Sequence, residues 1–253
     1  MKVKLSAVII TYNEAENIER CISSLKDVAE EIIVIDSFSS DKTVEIAKSN
    51  GAIVFQNKFK GYSNQKKFGI YKCSSDYILS LDADECLSKN LQKSIKDVKK
   101  NYHSDAYEMN RKNNYLGQWI NHCGWYPDKK IRLFDKNKAS WNDNYVHEKV
   151  VLKEGATTGF LKGDILHYSI KNKAHHYRTI DHYSTLYAQM MYEKGKQGFI
   201  YIGVIKAIVK FLKLYFYKLG ILDGINGWRI CKASAYSIYL RNKKCKDLYN
   251  EKV

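Results

Sequence analysis

Tyr77-Ile78-Leu79-Ser80-Leu81-Asp82-Ala83-Asp84-Glu85 is the stretch on which the reading of this chain turns. An apolar run of strand type stops abruptly at two carboxylates spaced i, i+2, with a third behind them. Residues two apart in extended backbone point to the same side, so Asp82 and Asp84 converge just past the end of a buried strand. Carboxylates held that close repel one another unless a cation lies between them. A hard, oxygen-liking ion, Mg2+ or Mn2+, answers that need and commonly arrives with a phosphorylated ligand. Taken alone, the stretch also fits a strand followed by an acidic turn.

Upstream, the pattern alternates. Residues 5–11 form an apolar, β-branched run, and 16–25 place Ile18, Cys21, Ile22 and Leu25 on one helical face. A second strand is expected at 31–36, a helix at 42–49 behind Ser39-Ser40-Asp41, a strand at 52–55 and a helix at 63–72. Continuous apolar strands alternating with amphipathic helices predict a three-layer α/β/α domain with a mostly parallel, Rossmann-like sheet. Beyond residue 100 the pattern loosens into shorter strands, mixed or antiparallel, at 106–111, 130–134, 149–152 and 159–167. From Asn172 it turns helical. The expected division is therefore a catalytic domain over 1–170 and a helical region over 171–253. In an open α/β sheet, ligands bind outside the carboxyl ends of the strands. Thr11-Tyr12-Asn13-Glu14, Asp36-Ser37 and Asp82-Ala83-Asp84 all fall there.

At 253 residues and 45% hydrophobic, the chain can bury one substantial core. One proline, Pro127, and no Gly/Ser-rich stretch argue against a flexible linker. Six scattered cysteines without Cys-x-x-Cys spacing disfavour a zinc site and suit buried thiols in the cytosol. The apolar run at the amino terminus is too short for a signal-peptide core.

The formal charge of +15 is concentrated: residues 171–253 hold 16 Lys and Arg against 5 Asp and Glu. Residues 199–219 are strongly apolar, but Lys206, Lys210 and Lys213 share one helical stripe. Each would cost roughly 2.5–3.5 kcal/mol at the centre of a bilayer, so an interfacial helix on an anionic membrane surface is expected rather than a span. Packing on the catalytic domain is the alternative.

Three motifs in order resemble glycosyltransferase family 2, the inverting enzymes of GT-A fold: Ser6-Ala7-Val8-Ile9-Ile10-Thr11-Tyr12-Asn13-Glu14, Ile33-Val34-Ile35-Asp36-Ser37 with Ser39-Ser40-Asp41, and Leu81-Asp82-Ala83-Asp84-Glu85. Later elements, Lys130-Ile131-Arg132-Leu133-Phe134, Val146-His147-Glu148-Lys149, Leu166-His167-Tyr168-Ser169 and Leu222-Asp223-Gly224, resemble the lipopolysaccharide inner-core glucosyltransferase-like branch. The resemblance implies a metal-dependent transfer of a hexose, glucose in that branch, from a UDP-sugar to a lipid-linked glycan such as lipopolysaccharide core. A polyprenyl-phosphate or other surface polysaccharide intermediate is the alternative acceptor. It also implies a cytoplasmic protein, peripheral at the inner face of the cell membrane. Thr11, Tyr12 and Glu14 would line the nucleotide pocket, Asp36 would accept from the uracil imide N–H, Asp82 would sit against ribose and metal, and Asp84 would ligate the metal. Where many relatives open the third helix with Arg-Asn, this chain has Gln65-Lys66-Lys67, which makes Lys66 the candidate contact there.

Inverting transfer needs a base for the acceptor hydroxyl and charge neutralisation on the departing diphosphate. Arg132 offers a guanidinium fork for phosphate, unless it is a surface arginine flanking a strand. A carboxylate in a partly buried acceptor pocket or the His147 imidazole could serve as base. The resemblance implies a carboxylate from this loop, which makes Glu148 the expected base, His147 its rival and Asp143 behind both. His167 ends a strand and either ligates the metal or plays a structural part. Tyr115, Trp119, Trp125 and Tyr126 make either a sugar platform or core packing. Two other classes fit the composition: a non-catalytic sugar-nucleotide binder, and a basic nucleic-acid-binding protein. No nucleic-acid motif supports the latter, and no nucleic acid is expected as a partner.

Overall fold

The computed structural model describes residues 4–142 and 148–250. It opens with β1 (Leu5–Thr11), α1 (Ile18–Leu25), β2 (Glu31–Asp36), α2 (Thr43–Ser49), β3 (Ile53–Gln56), α3 (Tyr62–Tyr71) and β4 (Tyr77–Asp82). These four strands lie in the order β3-β2-β1-β4, all parallel. Every residue of β1 is buried, as its unbroken apolar run requires of a strand covered on both faces. The stripe Ile18, Cys21, Ile22 and Leu25 is the buried face of α1.

Past β4 the chain forms β5 (Glu85–Leu87), α4 (Lys89–Val98), β6 (Ala106–Tyr115), β7 (Gln118–Trp119), β8 (Asp128–Asp135), β9 (Ala139–Trp141), β10 (Val150–Leu152) and β11 (Thr158–Ile170). The sheet continues through β8, β6, β11 and β5, and β8 runs antiparallel to both β4 and β6. β9 and β10 form a separate two-stranded sheet. The sequence pattern did not anticipate α4. Its signal is the Ser88 hydroxyl, which accepts from the Leu91 N–H at 3.3 Å, followed by buried Leu91, Ile95 and Val98.

The chain clusters into two compact units, residues 1–112 with 128–168, and residues 113–127 with 169–253. The cuts fall after residues 112, 127 and 168, so residues 113–127 group with the helices. That second unit contains α5 (Lys173–Glu193), α6 (Ile200–Leu212), a π-helical turn (Lys213–Tyr217), a 3-10 turn (Gly220–Asp223) and α7 (Gly224–Asn250). Its core holds Tyr115, Ile120, Cys123, Leu214, Ile230 and Cys231. Tyr115 meets Trp125 edge to face inside this core, so it packs the interior and is not a sugar platform. All six cysteines are free and buried. Among the described residues no helix is long and apolar enough to cross a membrane.

Candidate active site

Strand register brings the three motif loops to one edge of the first unit, with Thr11 opposite Asp36 and Ile10 opposite Asp82. The loops after β1 and β2 are laced together. The Asn13 N–H donates to Ser39 Oγ at 2.8 Å, the Ser40 N–H to Asn13 Oδ1 at 2.8 Å, and the Glu14 N–H to Thr43 Oγ1 at 2.8 Å. Asn13 and Phe38 carry positive φ angles at the two bends. Tyr12 is exposed on this edge, whereas Thr11 is buried with its hydroxyl unpartnered. The Glu14 carboxylate accepts from Asn17 Nδ2 at 2.6 Å, next to the first turn of α1. Asp36 is buried; its carboxylate accepts from the Ser39 N–H at 3.0 Å, from the Ser39 hydroxyl and from Gln56 Nε2 at 3.3 Å. Its visible work is to hold the turn after β2.

Asp82 is the centre of a buried chain of charges. Lys66 Nζ lies 3.0 Å from Asp82 Oδ1 and 3.3 Å from Glu148 Oε1, with the ammonium 4.3 Å from the centroid of the Trp141 ring. Its side chain is wholly buried. Gly69 explains how α3 delivers it: a Cβ there would stand 2.4 Å from Val8 Cγ1, so the helix lies directly on β1. Lys66 is one turn earlier on the same face. From β8, Arg132 Nη2 reaches Asp82 Oδ2 at 3.1 Å and Glu85 Oε1 at 2.9 Å. From β6, Arg111 extends the chain to Glu85 at 3.3 Å and to Asp128 at 2.8 Å. Burial alone would raise the pKa of Asp82, but Lys66 and then Arg132 hold it well below the usual carboxylate range. Burial likewise opposes the charge on Arg132, and Glu85 followed by Asp82 outweighs it.

Asp84 points elsewhere. Its Oδ2 is 3.1 Å from His167 Nε2, its carbonyl accepts from the Tyr168 N–H at 2.9 Å, and β11 places His167 opposite Glu85 of β5. Burial disfavours a charged imidazole, yet the Asp84 hydrogen bond raises the His167 pKa above its ordinary value. No group of three His, Cys, Asp or Glu side chains that could hold a metal occurs among the described residues. Asp84 and His167 nevertheless offer a partly accessible oxygen and nitrogen pair, a donor set that fits a divalent cation completed by ligand oxygens. Asp82 does not join that pair; both its oxygens face protein cations.

The structure thus brings Lys66, Asp82, Arg132 and Glu148 together, and Asp84 with His167 beside Glu85. Arg132 is 4% exposed, so it is no surface arginine. Glu148 is half-buried, with its carboxylate beside the Lys66 ammonium group. His147 and Asp143 lie outside the described residues. Sequence reasoning missed Glu85, Arg111 and Trp141. A hint existed for Glu85, since three carboxylates within four residues demand more than one cation. Trp141 carried none, because its place under Lys66 and Arg132 depends on the fold alone.

The sequence model described as "Glycosyl transferase family 2" matches residues 6–155. An uncharacterized glycosyltransferase of Rickettsia prowazekii is 32% identical over 97% of this chain and 87% of its own length. The lipopolysaccharide core biosynthesis glycosyltransferase LpsC of Rhizobium meliloti is 28% identical over 95% of this chain and 94% of its own. Among solved structures, a glucosyl-3-phosphoglycerate synthase from Mycobacterium tuberculosis aligns over 44% of each chain at 20% identity and a TM-score of 0.38. With its three motif loops on the carboxyl edge of a parallel β3-β2-β1-β4 sheet, and with the family's sequence pattern over most of the first unit, the chain belongs to glycosyl transferase family 2 and has the GT-A fold of that family.

Proposed function

We propose that this glycosyltransferase moves a hexose, glucose in the first instance, from a UDP-sugar to a lipid-linked glycan of the lipopolysaccharide-core type, with inversion, at the inner face of the cell membrane. The observation that carries the reading is the position of Lys66. It joins the motif carboxylate Asp82 to Glu148, a carboxylate 66 residues further along the chain. Donor-side and acceptor-side chemistry would meet at that ammonium.

In this reading Glu148 takes the proton of the acceptor hydroxyl as it attacks. Lys66 keeps Glu148 beside the strand end. Asp82, held ionised by Lys66 and Arg132, is ready to accept from a ribose hydroxyl, while Thr11, Tyr12, Glu14 and Asp36 furnish the walls of the nucleotide pocket. Arg132 adds positive potential where diphosphate charge accumulates. Asp84 and His167 would hold Mg2+ or Mn2+, which when bound supplies Lewis-acid neutralisation of the departing diphosphate. Acceptor class is supported by the Rhizobium meliloti relative, named for lipopolysaccharide core biosynthesis and similar over nearly the whole chain. A membrane-surface location is supported by the basic, apolar composition of residues 171–253.

Calorimetric titration with UDP and Mn2+, separately and together, tests the donor site. UDP binding that needs the metal and disappears in Asp84→Ala is the expected result. Binding unchanged in Asp84→Ala would refute the metal assignment. In a transfer assay Glu148→Gln should lose about 10²–10⁴-fold in kcat with UDP affinity retained. Near-normal turnover would move the base elsewhere.

A further inference from the structure

α6 and α7 form an antiparallel hairpin whose packing is inside out. Where α6 closes on α7, a Cβ on Gly203 would stand 2.8 Å from Asn242 Cβ, and one on Gly198, just ahead of α6, would stand 2.3 Å from the Asn242 carbonyl oxygen. The connecting turns close just as tightly, with Gly227 against the Gly220 carbonyl. Phe211 packs on the core of this unit, but most of the large apolar side chains of α6 are left pointing outward. Tyr201, Val204, Ile205, Ile208, Val209 and Leu212 are all exposed, Ile205 at 60%. Their spacing places them on one stripe.

The exposure continues around the tip, where Phe216, Leu219, Leu222 and Ile225 are exposed, Leu222 at 64%. The tip is held in place: the Asp223 carboxylate accepts from the Asn121 N–H at 3.2 Å, the His122 N–H at 2.8 Å and pairs with His122 Nδ1 at 3.1 Å. Leu219 and Gly224 adopt positive φ on either side of the 3-10 turn. Half of all the exposed large hydrophobic residues described fall between Phe199 and Trp228. Among them stand exposed Lys206, Lys213 and Lys218, and the sole acidic residue of the stretch, Asp223, is buried.

We infer that residues 199–228 are a preformed lipid-docking hairpin, whose outer α6 stripe and tip enter the headgroup–acyl boundary of an anionic bilayer while its lysines lie among the phosphates. This deepens the membrane-surface reading of the proposed function by assigning the surface to these side chains. A second copy of the chain is the poorer occupant. A two-fold contact apposes a face with itself, so the lysines would find no exposed carboxylate in the stretch to answer them. A bilayer containing anionic lipid supplies both the apolar medium and the countercharge.

Flotation of the full chain with vesicles tests the inference. Binding is expected to phosphatidylglycerol–phosphatidylcholine vesicles and to be much weaker with phosphatidylcholine alone. The triple variant Ile205→Ser, Ile208→Ser, Leu222→Ser should bind about tenfold more weakly or worse at any salt concentration. Lys206→Gln, Lys213→Gln, Lys218→Gln should lose mainly the salt-sensitive part of binding. Equal binding by the serine variant and wild type would overturn the inference. So would a wild-type protein that ignores vesicles but dimerises with concentration through a contact the serine variant loses. UDP titration of the same preparations separates the two readings: vesicle binding without UDP binding sinks the donor assignment and leaves the hairpin standing, and the converse result does the opposite.

Discussion

The two compact units break opposite rules. The first buries charge: Lys66, Asp82, Arg132 and Glu85 form a contiguous ionic chain in which Lys66 and Glu85 have no solvent-exposed side-chain surface. The second exposes grease, with the outer stripe of α6 left to solvent while Gly203 lies against Asn242 of α7. Each departure costs stability in water. Buried ions lose hydration that their partners only partly replace, and exposed apolar surface forgoes burial worth roughly 25 cal/mol per Å2. Folding alone explains neither arrangement. On the proposed function each would serve binding, of a charged donor by the first unit and of a bilayer by the second.

The largest way to break the contrast is to remove one member of the ionic chain. Lys66→Met leaves Asp82 facing the interior with Arg132 as its remaining cation, and should destabilise the first unit by about 3–5 kcal/mol. Urea unfolding read by a probe in that unit measures it; a loss under 1 kcal/mol would mean that Asp82 is better hydrated than its burial implies.

Acid should act on the same chain more gently. The Asp82 pKa in the folded protein lies below the ordinary aspartate value of 3.8, so its contribution is complete above that value and is lost as pH falls toward the folded-state pKa. Thermal melts from pH 5 down to about pH 2, run on wild type and Lys66→Met, should show steeper acid destabilisation in the wild type, the difference opening below the ordinary aspartate value.

In the second unit the sensitive positions are the small ones. Gly203→Ala forces a methyl against Asn242 and should cost about 1–3 kcal/mol by overpacking. Ile208→Ser, on the exposed stripe, should change stability by no more than about 0.5 kcal/mol in the absence of lipid. If Ile208→Ser proved the costlier of the two, the hairpin would be packed on something through its apolar stripe, and the contrast between the units would collapse.

Local pattern carried the parallel half of the fold. β1 and β2 are unbroken apolar runs, α1 keeps its buried residues at helical spacing, and the polar clusters at the strand ends mark the functional edge. The same locality limits what could be read later in the chain. β6 extends through Asn110-Arg111-Lys112-Asn113-Asn114, a polar run with no strand signature, because sheet pairing and ionic partners stabilise it from a distance. Arg132 meets Asp82 across 50 positions and Glu85 across 47, separations that leave no periodic trace. The tail illustrates the reverse. Its composition announced an amphipathic helix, but only the glycine contacts with Asn242 reveal that its apolar stripe faces away from its partner.

The Lys66–Asp82–Arg132–Glu85 chain also constrains how this protein can evolve. Asp82 and Arg132 each meet two members, and Lys66 and Glu85 each meet one, so a neutral or reversed charge at any one site leaves a neighbour short of a partner, and residues in one ionic network are strongly non-additive. The four positions must therefore change together or not at all. Substitutions are cheaper in the loops around them, where Tyr12, Phe38 and Tyr62 stand exposed. On the proposed function, a fixed ionic keel beneath a mutable rim would let one scaffold acquire new sugars without relinquishing its chemistry.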